Sequence, residues 1–466
     1  MTNFWDFNNW KFLVEIAVLL LGVLIGNILR RSIKLFRKSL IPNAVLGGIV
    51  VLLFNIIVKQ ITGESFFNTA SLEMITYHCL GLGFAAMGLK KGDKSKQKHK
   101  GDILTTGATT VGTYLIQGIL GLALTIVLSL AIPGLLPASG ILLCLGFGQG
   151  TGQALNWGRN YENIYGFTGG ASFGLTLAAF GFLVACVIGV IYMNVLKKQG
   201  KIKIATEDEI AKNEAKEIYF SEKEPPMSES CDKLTMQFGL VFSAYLLAYL
   251  FMFGITKVLD IFNLDFFNNT VKPIIWGFNF LFSILSSLLI KGIIGFMQKK
   301  NLIHREYINN FSMNRIGGFT FDLMVIAGIT AIEIALLRKY WYVIALLVAI
   351  GSVATLFYLR FITKKNFQGY NYEAFFAMFG MLTGTASTGV ILLREIDPEF
   401  KTPAADNLVF QNLPAIILGF PIMLLIGFAP RGLKEAILTC VISLGLFLAI
   451  NLIIFRKQIF KKKVKK

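Results

Sequence analysis

Two short stretches of this chain combine glycine with neutral hydroxyl and amide side chains inside apolar surroundings. The first is Gly146-Phe147-Gly148-Gln149-Gly150-Thr151-Gly152-Gln153-Ala154, followed by Asn156. The second is Phe379-Gly380-Met381-Leu382-Thr383-Gly384-Thr385-Ala386, followed by Ser387 and Thr388. Glycine permits positive φ and close backbone approach, so such stretches can break a helix and leave N–H and C=O groups free for a ligand. Free N–H ends attract carboxylates, and free carbonyl ends coordinate Na⁺. The candidate contacts are therefore Gly148, Gln149, Gly150, Thr151, Gly152, Gln153 and Asn156 in the first stretch. In the second they are Gly380, Thr383, Gly384, Thr385, Ser387 and Thr388. Small-residue helix packing with Ser/Thr hydrogen bonds is the competing reading. The recurrence of the cluster at matched positions favours a ligand site.

Charged side chains add few candidates. Asp322 and Glu333 in one apolar run and Glu15 in another are the clearest intramembrane acids, and a buried carboxylate there can hold Na⁺ or H⁺. Asp322 is the preferred one, because Glu333 stands beside Arg338 near the outer end. Arg159 and Arg394 each follow a glycine-rich stretch, where a guanidinium could fork onto a substrate carboxylate or anchor the interface. The aromatic residues Trp157, Tyr161, Tyr340, Trp341 and Tyr342 read as interfacial belt anchors. His78, His99 and His304 have no zinc-ligand spacing, and Cys79, Cys144, Cys186, Cys231 and Cys440 read as small buried apolar residues. Without HExxH, GxSxG or another catalytic constellation, the sequence argues against an enzyme.

The elements that must position these residues are membrane helices. The 466 residues are 55% hydrophobic and 15% charged, with a mean hydropathy of +0.63, against roughly 25% charged in soluble domains. At about 20 apolar residues per crossing, most of the chain lies in lipid. The formal charge of +18 sits in short loops, as the positive-inside rule expects, and not in a basic stripe interleaved with aromatics for nucleic acid. Asp6 and the lack of a small-residue cleavage site predict a retained first helix.

Apolar runs fall near 12–29, 41–58, 73–89, 103–132, 168–196, 235–256, 273–297, 315–337, 340–361, 405–428 and 433–455, which predicts eleven crossings. Basic flanks after 29, 89, 196, 297, 359 and 455 place the N-terminus outside and the C-terminus in the cytoplasm. Keeping that alternation requires 138–157 to enter and leave on the outer side and 373–394 on the inner side. Residues 199–233, with Glu224-Pro225-Pro226, read as a cytoplasmic linker.

The glycine-rich stretches align at an offset of 232 residues (147 to 379), and Pro42 aligns with Pro273 at 231. A duplication is the simplest account. An odd number of crossings per copy turns the second copy over, so the two hairpins point at each other from opposite sides. The expected fold class is an all-α polytopic membrane protein with two inverted five-helix repeats, each carrying a re-entrant hairpin, plus one extra C-terminal helix. The expected divisions are 1–198 and 234–430 for the repeats, 199–233 for the linker, and 431–466 for the extra helix and basic tail. This is secondary-transporter architecture.

Several motifs carry a more specific resemblance. They are Ile41-Pro42 with Gly47-Gly48, Phe84-Ala85-Ala86-Met87-Gly88-Leu89, Gly148-Gln149-Gly150-Thr151-Gly152, Tyr165-Gly166-Phe167-Thr168 and Asn371-Tyr372-Glu373-Ala374. With them the chain resembles the sodium/glutamate symporter family over roughly residues 40–430. The resemblance implies a homodimer in the inner membrane that moves glutamate inward with Na⁺ by alternating access, with both hairpins lining the site. It implies no cofactor, only Na⁺ as coupling ion, held by hairpin carbonyls that the resemblance does not assign individually. Gln149 stands where the family pattern has histidine, the second hairpin is richer in Thr/Ser than the pattern, and the run at 433–455 is additional.

The alternatives are a carrier for another organic anion, proton coupling through Asp322, and a non-transporting membrane sensor. Accessibility labelling of a cysteine placed near Lys466 checks the topology. It should react only from the cytoplasmic face, and reaction from outside would overturn the crossing count.

Overall fold

The computed structural model describes residues 3–90, 100–205, 233–262, 264, 267–303 and 305–464. Most of the linker, together with His99, Cys231 and His304, lies outside them. The described residues are helical and contain no strand. Ten of their helices are long and apolar enough to cross a bilayer.

The first half of the chain contributes α1 (Phe7–Ser32), α2 (Asn43–Thr62), α3 (Thr69–Leu89), α4 (Lys100–Ser129), α5 (Leu142–Tyr165) and α6 (Gly170–Lys198). The second half contributes α7 (Lys233–Phe262), α8 (Asn279–Lys299), α9 (Asn310–Thr330), α10 (Trp341–Asn366), α11 (Asn371–Thr383), α12 (Ala386–Arg394), α13 (Asn412–Phe428) and α14 (Leu433–Val464). The helix α9 has 21 residues, but Asn314, Arg315 and Asp322 keep it out of the apolar set.

Two bundles result, and each draws helices from both halves. In one, α3 packs on α8 and α9, α2 on α1 and α9, and α7 on α8. In the other, α4 packs on α10, α13 and α14, α6 on α5, and α11 on α10 and α12. The bundles touch chiefly where α5 meets α3 and α9.

Neither glycine-rich stretch is a straight rod. Gly150 interrupts α5 with φ 77° and ψ −167°, a conformation essentially confined to glycine. Straight, its 24 residues would separate the flanks by about 36 Å. Instead both flanks reach one side chain. The Tyr340 hydroxyl donates to Gly134 O at 2.7 Å, and the Tyr340 and Phe167 rings lie 5.5 Å apart.

The second stretch breaks at Gly384–Thr385 between α11 and α12. Its limbs cross so closely that a Cβ on Gly380 would sit 2.7 Å from Gly389 Cα. Its flanks lie toward the other end of α10, where Arg360 donates to Asn371 Oδ1 at 2.8 Å and Glu395 O accepts from Ala205 N. The two breaks meet between those ends. A Cβ built on Gly150 would lie 3.5 Å from Thr385 Cγ2 and 3.7 Å from Gly384 O.

Several expected elements differ in detail. The first stretch runs beyond 157 to Tyr165 before Gly166 caps it in the left-handed region. Trp157, Tyr161 and Tyr340 are buried rather than interfacial: the second limb of α5 packs Trp157 against Phe278 and brings the Tyr161 hydroxyl to Ile426 O, and Tyr340 packs against Phe167 and Phe173. Trp341 and Tyr342 are exposed. The run at 315–337 stops as helix at Thr330, which leaves Glu333 in the following connection. The run at 273–297 is broken at Phe278, after a short helix at Lys272–Gly277. Cys79, Cys144 and Cys186 are buried, and Cys440 is half-buried. Glu15 is fully buried and accepts from Asn68 N, the N-cap residue of α3.

Close helix approach has a direct test at Gly140. A Cβ there would sit 1.9 Å from Gly121 O, so Gly140→Ala should lower stability by about 1–3 kcal/mol or more. Gly292→Ala, with no atom within 4 Å of its Cβ, should be neutral or mildly stabilising, because alanine favours helix. Thermal unfolding of the two purified variants reads the difference.

Candidate functional site

A cavity of about 110 Å³ lies where the two breaks face the other bundle. Its walls differ in chemistry. One is apolar and comes from the first bundle: Leu80, Phe84 and Met87 on α3, Phe280 on α8, and Phe321 and Met324 on α9. The other is polar and comes from the second bundle. The helix α4 presents Thr110 and Tyr114, and α5 presents Gln149 and Gln153. The second break adds Thr385 and Ser387, and the entry to α13 adds Gln411 and Asn412. Among the described residues, no lysine, arginine, histidine, aspartate or glutamate lines the cavity.

Local sequence explains this polar wall. On α4, Thr106, Thr109 and Thr113 return their hydroxyls to the carbonyl four residues earlier, which satisfies them inside an apolar helix. Thr110 does not. Its Oγ1 is buried without a partner on the cavity wall. Tyr114 donates to Gly148 O at 3.1 Å and so holds the end of the first limb of α5. Gln153 and Asn156, one turn into the second limb, both donate to Gly277 O, at 3.1 and 2.9 Å. That carbonyl is exposed to them by the chain break after Gly277.

Helix ends supply the remaining polarity. The second limb of α5 starts after Gly150, and α12 starts after Thr385, so two helix N-termini lie at the breaks. The first N–H groups of a helix have no intrahelical acceptor and carry partial positive charge. The first limb of α5 and α11 end at the same place, which brings carbonyl ends beside those N–H groups. The arrangement can receive a carboxylate and a small cation together without a charged side chain.

Of the residues expected from the sequence, Gly148, Gln149, Gln153, Gly384, Thr385 and Ser387 line the cavity. Gly150 forms the contact between the breaks. The others stand just behind. The Thr151 hydroxyl donates to Met324 O at 3.4 Å, Gly152 packs against Leu80 and Met324, and Asn156 grips Gly277. Thr383 returns its hydroxyl to Phe379 O, Thr388 pairs with Thr385 at 3.3 Å, and Gly380 makes the crossing with Gly389. Asp322 is exposed and does not line the cavity, although Phe321 beside it does.

Sequence reasoning missed Thr110, Tyr114, Gln411 and Asn412. The signal for Thr110 was the polar face Thr106, Thr110, Thr113 and Gln117 at helical spacing on an apolar helix. Gln411-Asn412 carried no comparable pattern.

Arg159 is engaged away from the cavity. Its guanidinium pairs with Glu73 of α3, with Nε 3.2 Å from Glu73 Oε2, and its Nη1 lies 3.0 Å from Glu162 Oε2. Glu162 also accepts from Gly169 N at 3.1 Å, at the entry to α6. Arg159→Met should therefore leave affinity for a cavity ligand unchanged. It should cost about 1 kcal/mol or less in stability, because the pair is partly solvated. Ligand titration and thermal unfolding check both expectations.

Residues 9–396 match the family described as Sodium/glutamate symporter. Relatives called sodium/glutamate symporter in Escherichia coli (strain K12) and Shigella flexneri are each 30% identical over 184 residues. That match covers 38% of this chain and 42% of each relative. A chain with ten apolar helices, two broken segments meeting at a neutral polar cavity, and a family match over most of its length belongs to the sodium/glutamate symporter family.

Proposed function

We propose that this protein is a secondary transporter that carries L-glutamate or a similar small carboxylate across the cell membrane with Na⁺, by alternating access. The reading rests on one observation above all: the two broken segments meet tip to tip, at Gly150 and Thr385, beside a cavity with neutral polar groups on one wall. Carboxylate binding belongs to the helix N-termini at Thr151 and Ala386. Na⁺ belongs to the carbonyl ends of the first limb of α5 and of α11. Bringing Na⁺ and carboxylate in together lowers the cost of taking either out of water.

In this reading the broken segments are re-entrant hairpins of two inverted repeats. The placement of their flanks toward opposite ends of α10 supports it, as does the order of four long helices, a broken segment and one more helix in each half. The N-terminus is then outside and the C-terminus cytoplasmic. The polar wall belongs entirely to the second bundle, so that bundle can carry the ligand while sliding past the apolar wall of the first. Apolar side chains hold no hydrogen bonds to the ligand that would have to break.

Uptake of labelled L-glutamate into proteoliposomes tests the proposal. Uptake should require an inward Na⁺ gradient and fall about tenfold or more in Thr385→Val, which removes a cavity hydroxyl and its pairing with Thr388. Equal uptake with K⁺ in place of Na⁺ would defeat the coupling assignment. Unchanged uptake in Thr385→Val would defeat the site.

A further inference from the structure

The additional helix α14 is longer than a membrane crossing needs. Its 32 residues span about 48 Å, against about 30 Å for the hydrocarbon core of a bilayer. Its apolar stretch stops at Arg456, yet the helix continues to Val464, roughly two more turns. From Arg456 to Lys466 the chain has seven basic residues and no acidic one, with Ile459, Phe460 and Val464 interleaved. A segment of that composition belongs in the headgroup layer rather than in bulk water.

A second set of lysines is held against this end. On α10, the Tyr358 hydroxyl donates to Asn451 Oδ1 of α14 at 3.2 Å, and the ring pairs Tyr358–Phe447 and Phe361–Phe455 lie 5.5 and 5.8 Å apart. The Gln458 amide of α14 donates to Lys365 O at 3.0 Å, which ties the tail to the last turn of α10. The Lys365 amine stands over two rings, 4.5 Å from the centre of Phe361 and 5.9 Å from that of Phe455. Lys364 and Lys365 are exposed, and none of the ion pairs among the described residues involves either one. Arg360, one turn earlier, is engaged by Asn371 and by the Tyr372 ring. Neither helix offers a neutralising acid here: α10 has none, and the acid of α14, Glu435, is at its opposite end.

A lysine that only orients a chain in the membrane needs charge and no fixed place. Lys365 has both, because the rings and the Gln458 link hold two helix ends together as one cationic block. We propose that this block binds the phosphate headgroup of an anionic phospholipid. Lys364, Lys365 and the charge of the α14 tail receive the phosphate, and the acyl chains lie along the exposed Phe357, Phe361 and Leu452. Clusters of about four to eight cations at the end of a membrane helix recognise lipids of this charge. A zwitterionic lipid carries the same phosphate beside its own cation, so it gains less. The site belongs to the second bundle, since α4 packs on both α10 and α14, and it stands whatever the cavity carries.

The test titrates the purified full-length protein, in a neutral detergent, with phosphatidylglycerol or with phosphatidylcholine of the same acyl chains, and reads thermal unfolding. Phosphatidylglycerol should stabilise at about tenfold or more lower concentration than phosphatidylcholine, with the advantage shrinking as NaCl is raised. Lys364→Gln with Lys365→Gln should raise the half-saturating phosphatidylglycerol about tenfold or more, and so should Lys461→Gln, Lys462→Gln and Lys463→Gln together. The charge-matched control, Lys299→Gln with Lys300→Gln at the exposed end of α8, where Lys300 also stands over a ring, should leave it unchanged.

An equal response of the unaltered protein to both lipids overturns the proposal, and that comparison needs no variant to fold. An equal loss in the α8 control overturns it as well, because net charge alone then accounts for the effect. A loss confined to the α10 pair or to the tail refutes the joint site. Equal stabilisation by inorganic phosphate or glycerol phosphate, at the concentrations where the lipid acts, identifies a free phosphate ligand and refutes the lipid.

Discussion

The structure is governed by the cost of an unpaired backbone group in a medium without water, which is several kcal/mol per group. Helices avoid that cost by pairing internally, and most of this chain does so. The breaks at Gly150 and Gly384 are two exceptions that face each other. They survive because protein covers them. Tyr114 caps Gly148 O from α4, and Gln117 donates to Leu382 O from the same helix, while the breaks shield each other at the Gly150–Thr385 contact. The surroundings of the breaks thus follow from their own backbone chemistry. Tyr114 and Gln117 on α4 hold carbonyls that no helix holds.

The cavity inherits its character from the same constraint. Among the described residues fixed charges are absent from its lining, so in the proposed reading neither binding nor release has to overcome a permanent ion pair. Dipoles of helix ends, amides and hydroxyls remain. Such dipoles attract a charged ligand, while each single contact is modest. Such a wall suits a carrier, which must let go as readily as it binds. The Arg159–Glu73–Glu162 cluster shows where charge is placed instead. It joins α5 of one bundle to α3 of the other, behind Gln153 and Asn156, in a partly solvated position.

Much of this organisation was legible in the sequence. The glycine-rich stretches stood out because polar residues in an apolar run are costly unless used, and both proved to be breaks. Helix positions followed from apolar length and basic flanks. The burial of Trp157 and Tyr161 was not legible, because aromatic residues near a predicted interface look alike whether they face headgroups or a neighbouring helix. Their partners, Phe278 and Ile426 O, lie more than a hundred residues away. The division into bundles was equally hidden. Hydropathy orders helices along the chain, but which faces meet depends on small-residue contacts such as Gly121 on Gly140 and Gly158 on Gly170. Asp322 was legible only by cost: an acid in an apolar run reads as functional, and in the structure it is exposed and stands outside the cavity lining.

If the molecule works by the proposed alternating access, the asymmetry between the two walls constrains how it can move. If the polar wall were shared between the bundles, sliding one past the other would strip the ligand of half its hydrogen bonds midway. With every polar lining group on the second bundle, the ligand and its contacts can travel as one body, and only van der Waals contacts to Phe84, Phe280, Phe321 and Met324 need to be exchanged. Such contacts are individually weak and non-directional, so the barrier to sliding is spread rather than concentrated. In the proposed cycle the directional contacts to be exchanged include the polar links between the bundles: Gln153 and Asn156 to Gly277 O, Arg159 to Glu73, Thr151 to Met324 O, and Glu333 N to Ser172 Oγ. Four of these five emanate from one limb of α5, which also supplies Gln153 to the cavity lining.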